Sequence, residues 1–306
     1  MGAGWLTGDV RGRALLTRRL GTEGARRLAA SPSADAAIAT LSAGPYGRSV
    51  RTGQSIAEAE HAVAATTLWH LRVLAGWQPR EGSGLVRHLS GWFEIANVVE
   101  HARALAGQEP GGLFELGRLA TAWARVAESG SPPALRAALT ATPWEDPGEG
   151  TPAAVAVSMA LSWASRVQAA VPEAGEWAAG GAALVVARQR FALGAELAEP
   201  VARRAVTMLG QHAGDGAWDA FVTGLRTSAR WALADVAGPG ELWRAENRWW
   251  ARVSRDATVL VSRPRPGRAA LLGVVAFLAI DAWRVRAALQ VAARGGQALE
   301  MFDELG

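Results

Sequence analysis

Glu58 and His61 stand three residues apart, a Glu-x-x-His spacing that puts a carboxylate and an imidazole one turn apart on a helix. Carboxylate-bridged di-iron bundles use that spacing, but each such centre needs a second copy, and this sequence has none. Glu94 and His101 fall two turns apart, too far along a helix to share a metal easily. The five histidines are scattered at 61, 70, 88, 101 and 212, so they read as surface or capping residues rather than as a ligand set. No Gly-x-Ser-x-Gly elbow is present, which removes the common serine-hydrolase signature. The acids Glu145, Asp146 and Glu149 cluster in a segment rich in glycine and proline, and read as a solvated turn.

Two absences exclude more chemistry than any motif suggests. The chain has no cysteine, so disulfides, thiolate nucleophiles and sulfur-ligated metals are out of reach. It has no lysine either, because all 32 basic residues are arginine. Schiff-base chemistry, pyridoxal-phosphate anchoring and the lysine of a Walker A loop go with it. The same absence accounts for an isoelectric point near 10.9 at a net charge of only +4, since little titrates between neutrality and arginine. That value is no argument for nucleic-acid binding.

Arginine carries the charge that remains to be explained. Arg11, Arg13, Arg18, Arg19, Arg26 and Arg27 face only Asp9 and Glu23 in the first thirty residues. Arg244, Arg248, Arg252 and Arg255 step along one helix, interleaved with Trp243, Trp249 and Trp250. One reading is a solvated face whose arginine stems cover apolar surface. The other is a protein-docking surface, since Arg and Trp are enriched at interface hot spots. No nucleic-acid-binding motif accompanies them.

The elements that must position these residues are helical throughout. Helices are predicted over 5–20, 33–43, 55–75, 85–106 and 113–129, with a short one restarting at Ser131-Pro132. Ser55 and Glu58 form a capping box at the start of the third. Two helices divided by Pro172 fill 152–197, and shorter ones cover 201–209, 217–225 and 228–236. A helix spans 241–255, and Thr258 to Ser262 is the one stretch with a strand-like apolar run. No strand–helix alternation follows. The class is all-α, a single helical domain with lobes over 1–110, 111–210 and 211–306. The longest uncharged runs are too short to span a membrane, and no secretory signal opens the chain.

The last element organises the rest. Ala269 to Arg294 reads as one helix whose Leu271, Val274, Val275, Leu278, Ala282, Val285, Leu289 and Ala292 share a side. Gly295-Gly296 supply its stop. Asp281 and Arg284 flank the stripe one turn apart, as a rim pair worth about 0.2–0.5 kcal/mol, and Arg286 projects from the other flank. The segment from Glu94 and Asn97 to Gly107 echoes that from Asp281 and Arg284 to Gly295. In each an acid is followed three places on by a polar residue, then an apolar one, then a glycine stop.

Three stretches carry a family resemblance: GWLTGDVRGRALLTRRLG at the start, GWFEIANVVEHARALAG inside, and AFLAIDAWRVRAALQVAARGGQALEMFDEL at the end. They resemble the C subunit of bacterial and archaeal V/A-type ATPases, the family to which the eukaryotic d subunit belongs. Asp9-Val10-Arg11-Gly12-Arg13, Glu94-Ile95-Ala96-Asn97 and Asp281 through Arg286 stand at its motif positions, with Arg284-Val285-Arg286 where the family has Asn-Leu-Arg.

The resemblance implies a three-lobed helical funnel. It acts as a non-catalytic rotor socket between the central stalk and the membrane ring, on the cytoplasmic face of the membrane. Partners would then be the stalk and ring proteins, with no nucleic acid, cofactor or metal. The residues for partner contact or lobe packing would be Arg11, Arg13, Glu94, Asn97, Arg244, Arg248, Arg252, Asp281, Arg284 and Arg286. Two other classes stay open: a helical scaffold or regulator without an ATPase partner, and an all-α enzyme or ligand binder with a pocket between helices.

Overall fold

The computed structural model describes residues 3–214 and 216–295; it is 72% helix, with no strand among the described residues. The all-α class read from the sequence holds. In chain order the helices are α1 (Ala3–Leu16), α2 (Gly21–Ala29), α3 (Ala34–Ser42), α4 (Ile56–Gly76), α5 (Arg80–Leu89), α6 (Gly91–Leu105), α7 (Trp123–Val126) and α8 (Pro132–Thr140). There follow α9 (Pro152–Ala170), α10 (Gly175–Ala187), α11 (Glu199–Leu209), α12 (Trp218–Gly224), α13 (Thr227–Arg230), α14 (Leu242–Val261) and α15 (Arg268–Ala292). The chain divides into two compact units, Met1–Val86 with Trp250–Gly306, and Arg87–Trp249. These divisions fall at 86/87 and 249/250.

In the first unit α15 is the central element, with α1, α2, α3 and α4 packed around it. Every residue of the predicted stripe is buried, and so are Ala270, Leu272, Gly273, Ala276, Ile280, Asp281 and Ala288, so the helix is covered on more than one side. Leu28 of α2, Ile38 and Leu41 of α3 and Val63 of α4 meet Ala282, Val285 and Leu289 in one apolar core. Gly295 ends the helix region at φ 67°, a left-handed conformation that glycine takes without steric cost. Gly296 and the residues after it, including the predicted tail of the closing motif, lie outside the described residues.

Two apolar cores lie among the described residues of the second unit. One gathers Val98 and Ala102 of α6, Leu135 and Leu139 of α8, and Val155 and Met159 of α9 around the fully buried Trp144. The other is built from α9 through α13 and the start of α14, with Phe221, Leu209 and Leu233 inside.

Caps set several helix starts where the sequence placed them. The Ser55 side chain accepts from Glu58 N while Glu58 Oε2 accepts from Ser55 N at 2.7 Å, the reciprocal box. Ser33, Ser131 and Thr151 each accept from a backbone N–H three residues on.

Four expected elements differ. The first helix stops at Leu16, and an unforeseen α2 begins at Gly21, whose φ of 73° turns the chain. The 85–106 helix is two helices, because the carbonyls ending α5 are taken by side chains: Trp163 Nε1 donates to His88 O at 2.6 Å and Ser90 Oγ to Arg87 O at 3.2 Å. The strand-like run at 258–262 instead continues α14 to Val261 and a further turn, with Ser262 N bonded to Thr258 O at 3.2 Å. Residues 113–129 form no continuous helix, only a 3₁₀ turn at Gly117–Leu119 and the short α7.

Candidate functional site

Asp281 sits in the middle of α15, where the chain leaves α1 and enters α2. Its Oδ1 accepts from Gly21 N at 2.8 Å; its Oδ2 accepts from Leu20 N at 3.0 Å and from the Tyr46 hydroxyl at 2.8 Å. Leu20, the N-cap residue of α2, makes no cap bond of its own. Asp281 therefore supplies the cap from a helix some 260 positions away in sequence, placing negative charge at the positive end of α2. At 3% exposure it is no rim residue, and the sequence reading of a solvated pair with Arg284 is corrected here. Arg284 is half-buried on the same flank; burial lowers its pKa while the Asp281 charge opposes the shift.

Around this carboxylate lies a set of residues that the sequence left unremarked. Tyr46 is the sole tyrosine of the chain and is buried; burial and the Asp281 charge push its phenol well above the usual range, so it stays a donor. His70, read from sequence as a surface or capping histidine, is buried on α4. Burial, then the charges of Arg18, Arg11 and Arg48, lower its pKa to about 4 and keep it neutral. Arg48 lies 4.1 Å over the Trp69 ring and Arg19 lies 4.4 Å over Phe277. The uniqueness of Tyr46 was the one sequence signal available for it.

Glu94 in α6 repeats the device in the second unit. Its two oxygens accept from Thr121 N and Ala122 N, each at 2.6 Å, just ahead of α7, and the residue is 1% exposed. One turn on, Asn97 closes a two-bond ring with Phe114: Phe114 N donates to Asn97 Oδ1 at 2.7 Å, and Asn97 Nδ2 donates to Phe114 O at 2.9 Å. A further turn on, Glu100 accepts from Gly111 N at 2.6 Å. Residues 94, 97 and 100 share a face of α6 and keep 111–122 out of an α-helix. This is why the expected 113–129 helix is absent: side chains of α6 take backbone groups that a helix would have used. Glu94 and Asp281, the two acids of the sequence echo, thus do the same thing. Each accepts a consecutive pair of backbone N–H groups, Thr121–Ala122 and Leu20–Gly21.

The remaining candidate residues are mostly engaged with neighbours in their own unit. Arg244 pairs with Glu241 at 2.9 Å, and Arg248 donates to Ala234 O. Arg252 lies 3.7 Å from Asp256. Three of the four arginines in the stepwise row on α14 thus contact their own chain, and Trp249 likewise donates to Trp177 O at 2.8 Å. Arg13 pairs with Asp9 at 2.8 Å and reaches Val261 O at 3.4 Å. Arg11 is half-buried on the inner flank of α1, and Arg286 is half-exposed, 3.8 Å from Glu60.

Every oxygen of the two buried carboxylates accepts at least one hydrogen bond from a backbone N–H or the Tyr46 hydroxyl, an arrangement that fixes backbone. Glu58 of the Glu-x-x-His pair is likewise engaged in its capping box. Among the described residues, no group of three or more His, Asp or Glu is placed to hold a metal ion. An open cavity of about 570 Å³ in the second unit is lined by Thr223, Arg230 and Asp235, but the Arg230 guanidinium already donates to Leu225 O and Thr223 O. Among the described residues no helix is long and apolar enough to cross a membrane. The chain matches no known family model and no curated protein.

Proposed function

We propose that this chain is a non-catalytic, all-helical docking component of the V/A-type ATPase rotor, a member of the family that holds the bacterial and archaeal C and eukaryotic d proteins. In that role it links the central stalk to the membrane ring on the cytoplasmic face and carries torque between ATP hydrolysis and ion transport. The observation that carries the reading is the pair of buried acids. Asp281 and Glu94 stand at two of the three motif positions of the resemblance, and each fixes the start of another segment by the same two-bond clasp. Motif acids used this way favour a scaffold assembled from related helical units over a catalyst. The absence of lysine adds to this, since ATP chemistry would have to come from a partner.

Affinity purification from native membranes, followed by mass spectrometry, tests the reading. Stalk and ring proteins should co-purify in stoichiometric amounts, and the isolated chain should not hydrolyse ATP. Recovery of the chain with unrelated proteins, and never with ATPase components, would overturn the rotor assignment in favour of a helical scaffold with other partners.

A further inference from the structure

Seven large apolar side chains are exposed among the described residues, and four belong to one end of the first unit: Leu6, Val10, Trp77 and Val259, each more than half exposed. Contacts tie their elements together. Arg13 of α1 reaches Val261 O at the end of α14 at 3.4 Å. Gly4 and Gly8 lie against Pro79 and Gln78, which directly follow Trp77, and Trp5 lies against Gly82. Arg268, opening α15, pairs with Glu81 of α5 at 2.9 Å.

The first helix leaves two of its large apolar side chains outside. Gly8, Gly12 and Leu15 form its buried stripe, and a Cβ at Gly12 would stand 3.1 Å from Val274. Leu6 and Val10, one turn apart, point outward. Leu6 and Val10 thus add apolar surface to an outer face that also carries Thr7 and Arg13. Around these side chains stand exposed Arg13, Arg80, Arg263 and Arg265, the last two in a proline-containing loop between α14 and α15. The nearby acids Asp9, Glu81 and Asp256 are each paired with an arginine, Asp9 with Arg13 itself.

We propose that this end of the first unit is a contact for an anionic lipid surface. Leu6, Val10, Trp77 and Val259 enter the boundary between headgroups and acyl chains, and the arginines bind lipid phosphates. Aliphatic side chains projecting from two helices, a tryptophan at the same end and a guanidinium rim match an interfacial layer, which demands no shape complementarity. Guanidinium also pairs phosphate oxygens in bidentate fashion. The proposal rests on exposure and charge and does not depend on the ATPase reading.

Co-sedimentation of the full chain with vesicles tests it. Vesicles of phosphatidylcholine with about 30% phosphatidylglycerol should bring the protein down, pure phosphatidylcholine should not, and high salt should release it. Arg263→Ala with Arg265→Ala, and separately Leu6→Gln with Val10→Gln, should each weaken binding on the order of tenfold. All four positions are exposed, so the melts should be unchanged. Leu193→Gln, which removes an exposed leucine of the second unit, should leave vesicle binding intact. Failure to sediment with anionic vesicles, or binding that survives both double variants, would overturn the proposal. So would variants that keep vesicle binding but lose a protein partner, which would make this end a protein-docking surface instead.

Discussion

The Tyr46 hydroxyl donates to Asp281 Oδ2 at 2.8 Å, joining the turn after α3 to the middle of α15 across 235 positions of sequence. Both partners are buried, and both oxygens of the carboxylate also serve the start of α2. The packing of the first unit around α15 thus turns on one polar cluster inside an otherwise apolar core.

Tyr46→Phe removes one of three donors to a buried carboxylate and should cost about 1–3 kcal/mol. Asp281→Ala leaves two backbone N–H groups and the phenol without their acceptor, and should cost roughly 3–5 kcal/mol. Urea denaturation of the three proteins checks the order. An Asp281→Ala variant within error of the parent would contradict the capping role.

Glu94→Ala should release Thr121 and Ala122 without unfolding the unit. The expected loss is about 2 kcal/mol, with faster hydrogen exchange confined to segment 111–122. Amide exchange read by mass spectrometry distinguishes this local opening from a general loosening, in which the cores around Trp144 and Phe221 would exchange faster as well.

His70 sets a pH dependence. Its pKa is depressed from 6.5 unfolded to about 4 folded, so below 6.5 the unfolded chain binds a proton that the folded one refuses. The contribution is complete above pH 6.5 and is lost as pH falls toward 4, on the order of 3 kcal/mol in all. Stability measured between pH 7.5 and 4.5 should fall, and His70→Gln should flatten that part of the curve. An unchanged slope in the variant would remove His70 as the cause.

Arg286 and Arg284 separate docking from folding. Arg286 is half-exposed and loosely paired with Glu60, so Arg286→Glu should change stability by less than about 1 kcal/mol. Under the rotor reading it should weaken co-purification with stalk and ring proteins. Arg284→Glu puts a second negative charge beside buried Asp281 and should lower the melt itself. Intact co-purification of the Arg286 variant would take that residue out of the partner face.

The sequence alone determined what depends on neighbours along the chain. The caps at Ser33, Ser55 and Ser131, the stop at Gly295 and the eight-residue stripe of α15 follow from side chains acting within a turn or two, and with them the all-α class. It also exposed the echo between Glu94 and Asp281, because spacing is a property of sequence. What those acids do was decided by tertiary structure. The partners of Asp281 are Leu20, Gly21 and Tyr46, and nothing local marks a mid-helix aspartate as a cap for a remote helix. Segment 113–129 carries ordinary helix-forming residues, yet Glu94, Asn97 and Glu100 of α6 take its backbone groups, and tertiary hydrogen bonds outweigh propensity differences of a few tenths of a kcal/mol per residue. The run at 258–262 failed in the other direction: its β-branched residues read as strand, but continuation of α14 satisfies their backbone without a partner strand, and none is available among the described residues.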